Sequence, residues 1–154
     1  VAKQKVKMIT YRTYEDKDWK AICQIHDLAR PDELIGSCDP RGFIPIEQDK
    51  EVEDLKRSKK FVATENEKVI GFVGVDEDYL AWLYVHPDFY GKGIGRELLR
   101  IGIKEIGEGA WTIVLDGNKK AIALYESEGF EEISRFDGEN NGYPCRCIKM
   151  KRVK

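Results

Sequence analysis

The chain has 154 residues, of which 42% are hydrophobic and 35% charged, with a formal net charge of -2. That length supports one core, so a single domain over residues 1–154 is expected. The charge balance does not point to nucleic acid or a membrane surface, and no apolar run approaches a transmembrane helix or a signal-peptide core.

Lys5 to Arg12 (KVKMITYR) reads as a first strand. Thr13 with Asp16 three residues on is a capping-box variant. Trp19, Ile22, Cys23, His26 and Ala29 then recur at helical spacing, which predicts an amphipathic helix over 15–29. His26 on that face is read as a core or groove histidine. Pro31, Gly36, Pro40, Gly42 and Pro45 mark residues 30–45 as a long loop, and long loops in compact domains are often functional. A charged surface helix is expected over 46–58. Residues 61–65 and 69–75 are strands joined by an Asn66-Glu67 turn. Asp76-Glu77-Asp78 turns the chain into a strand at 79–85, completing an antiparallel meander.

That strand, YLAWLYV, carries no charge, as a strand buried on both faces would. His86-Pro87-Asp88 ends it, because proline cannot donate to a ladder. Gly91-Lys92-Gly93-Ile94-Gly95 follows and opens a helix over 94–106. Glycines let main-chain N–H groups close on a ligand, and a helix N-terminus favours an anion. Residues 90–96 therefore read as a phosphate or pyrophosphate seat. The dinucleotide GxGxxG phase and the Walker A pattern are both absent. Gly107 and Gly109 stop the helix. Trp111 to Leu115 is a strand parallel to 79–85. Asp116-Gly117-Asn118 caps a helix over 119–128, and strands at 131–136 and 145–151 flank a turn-rich loop at 137–144.

The cysteines are Cys23, Cys38, Cys145 and Cys147. Cys145 and Cys147 share one face of a strand. They are read as reduced thiols in a cytoplasmic protein. Without CxxC spacing, and with only His26 and His86 to help, no metal site is expected.

The element order, with LYVHPDFYGKGIG and NKKAIALYESEGF, resembles the GCN5-related N-acetyltransferase (GNAT) superfamily. The resemblance implies an α/β (α+β) fold: a central mixed seven-stranded sheet flanked by four helices and splayed between strands 79–85 and 111–115. It implies acetyl-CoA as co-substrate. Main-chain groups of Leu83, Tyr84 and Val85 would pair with the pantetheine arm. Tyr90, Gly91, Lys92, Gly93, Ile94, Gly95 and Arg96 would form the diphosphate loop, with Tyr90 standing where the family has Arg or Gln. An N–H near Leu83 would steady the oxyanion. Asn118 and Tyr125, seven residues apart on one helix face, would contact the cofactor and act as general acid, respectively.

An alkyl amine of pKa about 10.4 is neutral in about one part in 2500 at pH 7. A base is therefore needed. The family's Glu position falls near Tyr79, so Asp78 is favoured, with Asp76, Glu77, Glu33, Asp39 or a water chain as alternatives. Asp32, Glu33, Asp39, Asp137 and Glu139 in the flanking loops favour a small cationic amine acceptor, such as a polyamine, an aminoglycoside or a lysine side chain. A protein N-terminus or a protein lysine as acceptor, and an acyl-CoA sensor without turnover, are the alternatives. The oligomeric state is left open, a homodimer included.

Overall fold

In the computed structural model, which describes residues 8–153, the apolar runs become seven strands of one mixed sheet. The strands are β1 (Ile9–Thr13), β2 (Lys59–Glu65), β3 (Lys68–Asp76), β4 (Tyr79–Val85), β5 (Trp111–Leu115), β6 (Phe130–Asn140) and β7 (Tyr143–Arg152). The helices are α1 (Trp19–Leu34), α2 (Val52–Arg57), α3 (Ile94–Ile106) and α4 (Lys119–Ser127). Strand order is β1-β2-β3-β4-β5-β7-β6. The β2–β3–β4 meander is antiparallel, and β4 meets β5 in parallel, as expected.

A core lies on each face of the sheet, because strand side chains alternate between faces. On one face Ile94, Leu98 and Leu99 of α3 and Tyr125 of α4 cover Val73, Leu80, Val114 and Ile148. On the other, Ile22, Cys23, Ile25 and Ala29 of α1 cover Val62, Phe72, Trp82 and Tyr84. Each large apolar side chain buried this way contributes about 1.5–3 kcal/mol.

One local expectation falls partly outside the described residues, and four others are corrected. Residues 5–7 of the first predicted strand lie outside the described residues, and β1 begins at Ile9. The capping acid is Asp18, whose carboxylate accepts the Glu15 N–H at 2.8 Å, rather than Asp16. Helix α1 runs through Pro31 to Leu34, because proline in a last turn removes one hydrogen bond while Leu34 becomes fully buried. The predicted 46–58 helix is split by the turn at Asp49 into a 3-10 turn at Ile46–Gln48 and the short α2. The polar 137–144 segment is mostly strand: β6 and β7 pair as far as Asn140↔Tyr143, with only Asn141 and Gly142, both at positive φ, left to turn.

The cysteines depart from expectation as well. Cys38 and Cys145, 107 residues apart, form a disulfide, leaving Cys23 and Cys147 free and buried. It ties the segment after α1 to the start of β7. Gly42 in the same segment accepts the Asn141 side-chain amide at 2.7 Å. Residues 35–45 thus form a strap held to the β6–β7 hairpin at two points.

Candidate active site

The site begins with a fault in β4. Gly74 faces Trp82, yet Val75 faces Leu80, so Ala81 is an extra residue. The side-chain phase slips there: Leu80 and Leu83 pack with the α3 core, whereas Ala81, Trp82 and Tyr84 pack with the α1 core. A bulge sharpens local twist and turns the strand away from its neighbour. Accordingly β4 pairs with β5 only at Tyr79↔Trp111, while β5 pairs with β7 along its whole length. The last link is the Thr112 hydroxyl, which donates to the Leu80 carbonyl at 2.8 Å. From Ala81 to Val85, β4 lines an open gap, the splay expected between these strands.

At the far end of β4 the glycine loop enters α3. Gly91 and Gly93 have φ of 76° and 79°, a region that penalises a side chain. Gly93 is the N-cap of α3 and supplies no side-chain cap. The first intrahelical bond is Glu97 N–H to the Gly93 carbonyl at 3.2 Å, so the amides of Ile94, Gly95 and Arg96 stand free of the ladder. Apart from the adjoining residues of the chain, no described atom lies within 4 Å of where a Cβ on Gly91 or Gly93 would sit. This is an uncapped helix N-terminus with open space before it, and a diphosphate fits there. The neighbouring side chains are committed elsewhere. The Tyr90 hydroxyl donates to Asp32 at 3.1 Å, the Lys92 ammonium lies 5.2 Å from the centre of the Phe89 ring, and Arg96 binds Ser127 and Glu128, each at 2.8 Å.

Tyr125, on α4, is buried and edge-on to Phe130 at 5.3 Å. Burial pushes its phenol up from the ordinary tyrosine range, with the Thr112 hydroxyl partly opposing the shift. Asn118 caps α4, accepting the Ala121 N–H at 3.3 Å.

A cavity of about 500 Å³ joins these parts. It is bounded by His26 and Arg30 of α1, by Leu83 and Tyr84 of β4, and by Thr112 and Tyr125 across the gap. The structure therefore brings Leu83, Tyr84 and Tyr125 together, with the glycine loop one strand-end away. Asp78 is set apart: its carboxylate accepts the Trp111 indole N–H at 3.0 Å, outside the cavity wall.

The wall is strongly acidic. Glu33, Asp49, Glu51, Asp54, Asp76 and Glu139 all line it. Among the described residues of the wall, two guanidiniums oppose them, Arg57 paired with Asp54 and Arg30 paired with Glu33 at 3.2 Å. Burial, then the Asp49 charge, raises the Glu51 carboxyl. Of the loop acids singled out in the sequence, Glu33 and Glu139 reach the cavity. Asp32 holds Tyr90, Asp39 holds Arg41 at 2.6 Å, and Asp137 holds Arg146 at 2.9 Å. The α2-side acids and His26 were missed as site residues, because charges on a short helix and a histidine at core spacing carry no site signal.

An acetyltransferase (GNAT) domain model matches residues 56–132. The peptidyl-lysine N-acetyltransferase YjaB of Escherichia coli (strain K12) is 30% identical over 117 residues, covering 72% of this chain and 79% of that protein. A GCN5-related N-acetyltransferase from Rhodopseudomonas palustris superposes with a TM-score of 0.82 at 18% identity, over 97% of this chain and 99% of that one. YncA of Salmonella typhimurium, solved with its cofactor acetyl-CoA, superposes with a TM-score of 0.70 at 22% identity, over 93% and 92%. With half of its length matched by the domain model, this chain belongs to the GNAT acetyltransferase family.

Proposed function

We propose that the protein transfers an acetyl group from acetyl-CoA to the primary amine of a small cationic molecule, by direct attack and without a covalent enzyme intermediate. Acetyl-CoA supplies an activated acyl group as a thioester. The free amides at Ile94, Gly95 and Arg96 hold its diphosphate, and the edge of β4 exposed by the gap pairs with its arm. An N–H of the bulged segment near Leu83 faces the developing oxyanion. The Tyr125 phenol, kept protonated by burial, supplies a proton to the departing thiolate. Asn118 orders the start of α4 and thereby Tyr125.

The acidic cavity wall carries the choice of acceptor. Six carboxylates against two paired guanidiniums leave excess negative charge that a cation satisfies. A lysine side chain presents the same ammonium group, and the similarity to a peptidyl-lysine N-acetyltransferase keeps a protein acceptor as the second reading. No helix among the described residues is long and apolar enough to cross a membrane.

The test is a thiol-release screen with acetyl-CoA against amines of graded charge and against lysine peptides. Cationic small amines should turn over fastest. Equal rates for neutral and cationic amines would overturn the acceptor class. Binding of CoA with no thiol release across the panel would make the protein a sensor.

A further inference from the structure

We propose that His26, oriented by Asp27, is the catalytic base that takes the proton from the acceptor ammonium; this rests on the transferase reading above. The His26 Nδ1 lies 2.9 Å from Asp27 Oδ1. A carboxylate only accepts, so Nδ1 carries the proton and Nε2 is the bare nitrogen of the neutral ring. Asp27 is itself fixed, because the same Oδ1 accepts the Ile46 N–H at 2.8 Å. Nε2 makes no hydrogen bond among the described residues, and His26, although largely buried, lines the cavity.

The placement is specific to the reacting centre. The His26 ring sits edge-on to Tyr84 at 5.0 Å and to Trp82 at 6.0 Å. Those residues flank Leu83 in the bulged segment that faces the gap. The Trp82 indole Nε1 in the same wall is buried and has no hydrogen-bond partner among the described residues. Tyr125 bounds the cavity from the α4 side of the sheet and His26 from the α1 side. A displacement that deprotonates the entering amine and protonates the leaving thiolate needs its two groups placed on either side of the thioester.

The step balances. The ammonium N–H bond breaks and its proton passes to Nε2. The freed nitrogen pair forms the C–N bond to the thioester carbonyl carbon. Collapse breaks the C–S bond, and the thiolate takes the Tyr125 proton; the second N–H proton, shed by the new C–N nitrogen as it becomes the amide, passes through the cavity to restore the Tyr125 phenol. The imidazolium returns its proton to solvent through the cavity. Titratable groups on the surrounding elements are Cys23, Asp27, Arg30 and Glu33 of α1, Tyr84 of β4, and Asp49 and Glu51 beside α2. Cys23 is pushed up to about 12 by burial, and Tyr84 is raised well above its ordinary value for the same first reason. The charge gained by the ring therefore meets Asp27 directly, with more carboxylate than guanidinium around it.

Two measurements decide the matter. His26→Gln keeps a side chain that can bond Asp27. It should lower kcat/KM at pH 7 by about 100-fold with acetyl-CoA affinity unchanged, and the deficit should shrink as pH approaches the amine's own pKa of about 10.4. Asp27→Asn retains an Oδ1 for Ile46 and should cost about tenfold. A deficit uniform across pH, or none, overturns the proposal. Nitrogen-15 NMR of the free protein, which has two histidines, should show His26 with its proton on Nδ1. A proton on Nε2 overturns it as well. Wild-type protein that releases no thiol with any amine overturns the transferase reading and this base together, whereas active wild type with an unchanged His26→Gln variant removes only the base.

Discussion

Reduction of the Cys38–Cys145 bond should lower stability and loosen the acceptor side together. The bond closes a loop of 107 residues. Loop-closure entropy for that length corresponds to about 4.8 kcal/mol at 25 °C, and measured disulfides more often give about 2–4. A chain of 154 residues unfolds with an entropy of about 0.32 kcal/mol/K. The two estimates therefore translate to a fall in Tm of about 15 °C and about 6–12 °C. The assay is thermal unfolding with and without dithiothreitol, alongside a thiol count in denaturant, which should rise from two (Cys23 and Cys147) to four. Because the bond ties the strap to β7, and Gly42 and Cys145 both border the cavity, KM for the amine should rise more than KM for acetyl-CoA. Four thiols before reduction, or a count rising to four with Tm unmoved, would refute the reasoning.

Four further outcomes follow from the geometry. Tyr125→Phe should lower turnover by about 10- to 100-fold with little change in acetyl-CoA affinity, since a thiolate is already a fair leaving group; single-turnover kinetics would show it. Gly93→Ala forces a side chain onto a φ of 79°, costing about 1–2 kcal/mol, and should weaken CoA binding measured by calorimetry. Glu51 has its folded pKa raised, so it favours folding below the ordinary carboxylate range and that contribution is lost as pH rises through the raised value. Glu51→Gln should therefore melt higher than wild type at pH 7 but not at pH 3, while raising KM for a cationic amine. Asp18 behaves oppositely: the Arg12 guanidinium, at 2.8 and 2.9 Å, holds its carboxyl below the usual range, so its contribution is present at neutral pH and lost as pH falls. Asp18→Asn should cost about 2 kcal/mol at pH 7 by denaturant melt, and less in acid.

What was legible in the chain is what main-chain geometry writes into residue type. Gly91 and Gly93 were readable because their backbone conformations exclude most other residues, and YLAWLYV because burial on both faces tolerates no charge. The splay between β4 and β5 leaves a fainter trace. Its cause is the extra residue Ala81, and one alanine in an apolar run announces nothing, so this feature entered through the family resemblance. The acceptor side is fainter still. Glu51 and Asp54 on a short charged helix look the same in sequence whether they face water or a cavity. The Cys38–Cys145 partnership spans 107 residues and has no local signal at all. His26 falls at the spacing of a core residue because it is one, packed against Trp82 and Tyr84. Only the third dimension reveals that its other edge meets a cavity. A residue can satisfy a helix's apolar face and still present one nitrogen to a substrate. Helical periodicity therefore cannot be used to dismiss a histidine that follows the core stripe.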